Sequence, residues 1–431
     1  MLSTLLTLLA AVTARDALIT RLGPVKGDVG VSRDGRTFRK FLGVPYAKPP
    51  TGRRRFQDPV PVKPWFLTKD CRKVKPPCIQ SNGNGTIGVE DCLYLNIFTP
   101  IVKPEERFPV MVYIHGGFGH GSGFGASSGD YLIDEEIVLI DVQYRLGVLG
   151  FPTVETFPAN LGLKDQAMAL TWVRENVDSF GGDVDNVTVF GGGSATHLHM
   201  LFSQGLKGVI SHGGAFDRFR FIRSNGKGVP GCNPDPKLTK CLQKMTPGQV
   251  QSSGLSFGPS IETDTPGAFI KSDPLELKPT TPWIIGVSRS SYLQEVMAKV
   301  DFGDVALARM RARLGDLTSY SSSADFQLYA LGDALVKHAG AKYLYMYDGS
   351  IDPLVLGAVK DESDESTSRY FVRLWSNFAK YGEPDVNYRL WTEGSAGDYL
   401  KIGPFSRMEE DFNTDSIKFW STVFPQSYPP K

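Results

Sequence analysis

Two apolar runs that end in glycine-bearing turns limit what this chain can fold into. Val110-Met-Val-Tyr-Ile114 leads straight into His115-Gly-Gly117, and Ile137-Val-Leu-Ile-Asp-Val142 into Tyr144-Arg-Leu-Gly147. A run without polar alternation needs apolar cover on both faces, which is the situation of strands inside a parallel sheet. Between and after such runs the period changes. Leu170, Val173, Val177 and Phe180 recur at helical spacing before Gly181-Gly182, and Asn186-Val-Thr-Val-Phe190 then reads as another strand. Pro282 to Val287 and Tyr343 to Tyr347 add two more, and Phe371, Leu374, Trp375, Phe378 and Ala379 mark a late amphipathic helix ended by Gly382 and Pro384. Alternating strands and helices predict an α/β fold with a doubly wound, mostly parallel sheet flanked by helices. No internal repeat or long linker interrupts the pattern, so residues 15–431 are expected to form one domain. Ser321 to Ser323 and the acidic patch Asp361 to Glu365 are read as solvated loops.

The 431 residues carry 47 lysines and arginines against 46 acids, a net charge of +1. That balance gives no global electrostatic footprint for nucleic acid or an anionic membrane. Met1 to Ala14 is a short apolar run closed by small residues, the pattern of a signal peptide cleaved after Ala14; the alternative is a buried first strand or helix. No later stretch reaches the ~18 to 20 continuous apolar residues of a membrane span. A secreted, extracellular protein is therefore expected. Five cysteines, Cys71, Cys78, Cys92, Cys232 and Cys241, fit an oxidising compartment and leave one thiol over. Sequons at Asn84 and Asn186 permit glycosylation.

Glu90-Asp-Cys-Leu-Tyr-Leu-Asn-Ile97 resembles a signature of the type-B carboxylesterase and cholinesterase family. Phe41 to Pro50, Tyr144 to Phe151, Asn160-Leu-Gly-Leu-Lys-Asp-Gln166 and Phe180-Gly-Gly-Asp183 resemble further landmarks in the family's order, and Tyr343-Leu-Tyr345, Leu374 to Ala379 and Leu400 to Gly403 continue the likeness. The resemblance implies the α/β-hydrolase fold. It also implies disulfides Cys78–Cys92 and Cys232–Cys241 with Cys71 free, and neither a metal nor a cofactor.

A fold does not confer a function, so each position of the triad is read on its own chemistry. A hydrolytic serine needs a strained, glycine-flanked turn, a histidine to take its proton and a carboxylate to hold that histidine. The corresponding turn is Phe190-Gly-Gly-Gly-Ser-Ala-Thr196, which places Gly193 at the nucleophile position. If one glycine is an insertion, Ser194 becomes the nucleophile, with Thr196 where close packing calls for glycine; otherwise Ser194 serves as a helix cap. Ser291 stands at the acid position and Lys360 at the histidine position. Glu295 is read as an exposed helical residue. His115, Gly116 and Gly117, with the backbone of Ser194 and Ala195, correspond to the oxyanion loop, which is one residue shorter than the family's. His197, His199 and His212 are expected to pack or to face solvent.

Loss of a triad as a unit costs about 10⁶-fold in rate. The family comparison also implies shortened segments between Asp301 and Tyr343 and after Lys360, and no tryptophan lies between Cys78 and Cys92 to bind a choline ester. Three readings stay open. The first is a catalytically silent binding or adhesion-type homologue that takes an extracellular protein partner, or a small apolar ester or lipid. The second is a weak carboxylic ester hydrolase using Ser194. The third is an incomplete gene model of an active carboxylesterase.

Overall fold

The structure, a computed structural model, describes residues 17–81, 85–101, 105–116, 128–153, 157–216, 232, 238–255, 257–262, 266–288, 341–347, 351–357, 359, 362–386, 398–403 and 406–410. One large sheet organises them. Its strands are β1 (Asp28–Val31), β2 (Thr37–Pro45), β3 (Tyr94–Pro100), β4 (Phe108–Ile114), β5 (Val138–Val142), β6 (Gly182–Gly192), β7 (Gly208–His212), β8 (Trp283–Ser288), β9 (Ala341–Tyr347), β10 (Tyr399–Ile402) and β11 (Arg407–Glu409). Across the sheet they run β11-β10-β9-β8-β7-β6-β4-β5-β3-β2-β1. The pairs from β5 through β10 are parallel, while β1, β2 and β3 at one edge and β11 at the other are antiparallel. This is the doubly wound, mostly parallel sheet that the apolar runs predict.

Those runs are almost wholly apolar, Asp141 apart, because both faces are covered. Along β4, Val110, Val112 and Ile114 join one core and Met111 and Tyr113 the other, as a two-residue side-chain period requires. The first face is covered by helices α1 (Leu161–Asn176) and α2 (Gly193–Phe202), through Leu163, Ala169, Leu170, Val173, Ala195 and Leu198. The second is covered by α3 (Glu362–Tyr381), through Phe371, Leu374, Trp375 and Phe378. Helix α1 passes into a short 3₁₀ turn, Val177–Phe180, that ends at Gly181 with φ +81°, a left-handed stop that glycine adopts without steric cost.

The acidic patch after Asp361 differs from its reading as a loop. Glu362 onward forms the first turn of α3, where Asp364 and Glu365 meet the positive end of the helix dipole. Glu365 stays there on the surface, paired with Arg369 at 2.9 Å. The segment Ser321 to Ser323 lies outside the described residues.

The disulfides Cys78–Cys92 and Cys232–Cys241 form, and Cys71 is free and buried. Among the described residues no helix is long and apolar enough to cross a membrane.

Candidate active site

Chain order along the sheet reverses at β4, which lies between β5 and β6. Ligands of doubly wound sheets bind outside the carboxyl ends of the strands at such a switch point. The turn after β4 holds His115 and Gly116, and the turn after β6 runs directly into Gly193, Ser194 and Ala195 at the start of α2. The structure therefore brings together five of the residues singled out from the sequence. Gly117, Ser291 and Lys360 lie outside the described residues, as do Glu295 and Asn84. Asn186 is described, half-buried on β6.

Backbone approach explains the three glycines. Gly191 has φ +120°, and a β-carbon on it would lie 2.9 Å from the Tyr113 ring. A β-carbon on Gly192 would lie 2.5 Å from Gly116 Cα, and one on Gly193 would overlap the Gly214 carbonyl, 2.7 Å from its carbon. The crossing from strand to helix is thus packed against His115 and Gly116 on one side and the turn after β7 on the other. Neither Gly193 nor Ser194 has positive φ.

Ser194 is buried, and its Oγ donates to Ala215 O at 3.4 Å. It is not the cap of α2. That position belongs to Gly192, because the helix begins two residues earlier than a capping Ser194 requires, and no side chain caps it. Thr196 is accommodated without strain on the chain. Its Oγ1 lies 3.0 Å from Gly193 O and 2.8 Å from Ser211 Oγ, and Ser211 Oγ in turn accepts from the Trp283 indole at 2.8 Å.

The histidines near this turn are engaged in packing. His197 accepts the Phe216 N–H at 3.1 Å and stacks on Trp283, with centroids 4.9 Å apart. His199 is wedged between Gln166 Oε1 at 2.7 Å and Ser203 Oγ at 2.8 Å, and burial pushes its pKa down to about 3. His212 Nε2 accepts from the Trp375 indole at 2.9 Å. His115 stacks on Tyr144, whose hydroxyl donates to His115 O at 2.6 Å, and its Nδ1 lies 2.9 Å from Gly116 O. This fixes where the loop after β4 begins.

The landmark segments prove to be scaffold. Asn160, at φ 53°, clamps the loop of Ser260 and Glu262. Lys164 pairs with Glu262 at 2.8 Å, Asp165 grips Arg145 through both carboxylate oxygens at 2.7 Å, and Gln166 holds His199. In the other signature Glu90 forks onto Arg55, Cys92 closes the bridge to Cys78, and Asn96 accepts the Gly43 N–H at 3.0 Å. Ser211 and Trp283, which tie Thr196 down, were not singled out from the sequence, where a serine and a tryptophan in apolar strands carry no motif.

The carboxylesterase family model matches residues 15–306, more than half of the chain. The chain belongs to the carboxylesterase family. Within it, the chain is 36% identical over 313 residues to juvenile hormone esterase of Tribolium castaneum, covering 62% of this chain and 53% of that protein. It is 34% identical over 324 residues to venom carboxylesterase-6 of Apis mellifera, covering 65% and 58%. This carboxylesterase-family chain thus spans about half the length of the curated relatives it matches. The crystal structure of juvenile hormone esterase from Manduca sexta, with OTFP covalently attached, superposes with a TM-score of 0.82 at 22% identity, over 95% of this chain and 99% of that one. That likeness establishes the α/β-hydrolase fold.

Proposed function

We propose that this chain is a secreted carboxylesterase-family protein without hydrolase activity that acts by binding, taking an extracellular protein partner or a small apolar ester or lipid. The observation that supports this reading best is the state of Ser194. Its hydroxyl is turned into the protein onto the Ala215 carbonyl, on a helix that starts without the strained elbow that exposes a nucleophile. Gly193 offers no alternative, since a side chain there meets the Gly214 backbone. His197 and His199 are held by their own partners, and Lys360 and Ser291 stand at the sequence positions of base and acid. A serine hydroxyl needs an oriented base to attack an ester. Secretion and glycosylation at Asn84 and Asn186 belong to the same proposal, with Met1 to Ala14 as the leader.

The esterase names of the relatives favour the alternative, a weak carboxylic ester hydrolase using Ser194. A fluorophosphonate probe separates the two, because it phosphorylates only a serine activated by a base and facing an oxyanion hole. Native protein is expected to remain unlabelled under conditions that label an active esterase. Stoichiometric labelling at Ser194 would replace the binding reading with the hydrolytic one.

A further inference from the structure

Phe66 is 97% exposed and Leu67 84% exposed, although the chain on either side of them is firmly held. Trp65 N–H donates to Leu22 O at 2.6 Å, and its indole donates to Pro24 O at 3.0 Å. Immediately beyond the tip, Lys69–Asp70 pairs in parallel with Val25 and Lys26. The segment from Leu22 to Lys26 therefore pins both ends of the tip, and the exposure of two large apolar side chains is built into the backbone.

Cations surround this tip. From Pro61 to Lys75 there are five basic residues, Lys63, Lys69, Arg72, Lys73 and Lys75, against the single Asp70, a local balance of +4. Asp70 is already taken by Arg72, through contacts of 2.7 and 2.6 Å. Among the described residues Lys48, Lys63, Lys69 and Lys75 enter no ion pair. These four line an open trough of about 520 Å³ together with Trp65 and Tyr94. Lys69 Nζ lies 4.9 Å from the Trp65 ring centre and Lys75 Nζ 5.7 Å from that of Tyr94.

We propose that this face docks the protein peripherally on an anionic phospholipid surface, with Phe66 and Leu67 inserted at the headgroup boundary and the lysine trough against the headgroups. An interfacial anchor needs an apolar tip and flanking cations whose charge reaches lipid phosphates or carboxylates. A soluble polyanion would satisfy the lysines and leave Phe66 and Leu67 in water, so the combination selects a bilayer. The chain's net charge of +1 does not oppose this, because attraction to a surface depends on the local patch. The proposal is independent of whether Ser194 reacts.

The test is co-sedimentation of the full chain with vesicles of phosphatidylcholine alone or with about one-third phosphatidylserine. Wild type is expected to bind the phosphatidylserine vesicles about 10-fold or more tightly than the neutral ones, and to release them in about 1 M salt, where charges are screened beyond ~3 Å. Phe66→Ser with Leu67→Ser should weaken binding about 10-fold or more, and each of Lys63→Glu and Lys69→Glu about five-fold or more. All four side chains are exposed, so the variants should keep the wild-type circular dichroism. Wild type left in the supernatant, equal binding to both vesicles, or unchanged binding by the Phe66/Leu67 variant would each overturn the proposal. Retention on immobilised heparin without vesicle binding would overturn it too, and would assign the trough to a soluble polyanion.

Discussion

The α-carbon of Gly193 faces the Gly214 carbonyl with no room between them for a side chain. Both sides of this contact are backbone, so a bulkier residue cannot be admitted by a change of rotamer. Gly193→Ser is expected to lose about 1–3 kcal/mol of stability, the usual cost of overpacking a close-packed site, and to show no appreciable turnover of p-nitrophenyl acetate. Urea denaturation and a colorimetric assay check both outcomes. A variant of wild-type stability with strong turnover would contradict the geometry.

Thr196 makes the opposite kind of contribution, since its hydroxyl completes a buried polar chain with Ser211 and Trp283. Thr196→Val keeps the shape and removes the hydroxyl, which should cost about 1–3 kcal/mol by leaving a buried group short of a partner. Thr196→Gly restores the glycine spelling of the elbow, yet it should destabilise further and give no activity. A rise in esterase rate for the glycine variant would count against the assigned role.

Arg145 and Asp165 form a buried fork at 2.7 Å. Burial pushes the Asp165 carboxyl pKa up, and Arg145 pulls it back down. Removing one member strands the other charge, so Arg145→Met is expected to cost about 3–5 kcal/mol. Arg145→Met combined with Asp165→Leu should cost less than the single change. A double variant whose loss in chemical denaturation equals the sum of the Arg145→Met and Asp165→Leu losses would mean that the pair is not coupled.

His199 gives a pH dependence with a definite sign. Its folded pKa is lowered from 6.5 to about 3, so between those values the unfolded chain binds the proton and the folded chain does not. Stability then falls as pH falls through that window, by about 1.4 kcal/mol per unit from this group, with no contribution above it. His199→Gln should flatten that part of the curve. Denaturation midpoints at neutral and mildly acidic pH, compared between the two proteins, measure the difference.

Cys71 is buried, and burial pushes its thiol up to about 11. Thiolate is the reactive form, so iodoacetamide at pH near 8 should leave native protein unmodified and alkylate one site after denaturation. Peptide mapping should find that site at Cys71. Rapid labelling of the folded protein would show that the residue is accessible.

The strands were legible because burial on both faces removes nearly all polar residues, as in Val110 to Ile114 and, with Asp141 as the exception, Val138 to Val142. The start of α3 was not, because acidic residues that complement a helix dipole have the same composition as a solvated loop. The reading of Ser194 as a cap failed by two positions, since the start of a helix depends on where the strand before it stops bonding. At the candidate site, the sequence located the turn and its glycines. Which carbonyls those glycines approach, and that Thr196, Ser211 and Trp283 form one buried chain, depend on contacts between β6, β7 and β8 that no local pattern encodes.

Helix α3 covers Phe190, Ile210 and Tyr113, on strands laid down more than a hundred residues earlier in the chain, and Arg369 and Glu365 on it reach back to Asp34 and Arg33. During synthesis Leu132 and Ile133 cover part of the second face of the sheet early, and much of it therefore waits for this late helix to leave the ribosome. Nascent chains that stall before Glu362 should be sticky, held by chaperones and open to proteases. A shortened version ending at residue 306, where the family match ends, should aggregate rather than behave as a minimal domain.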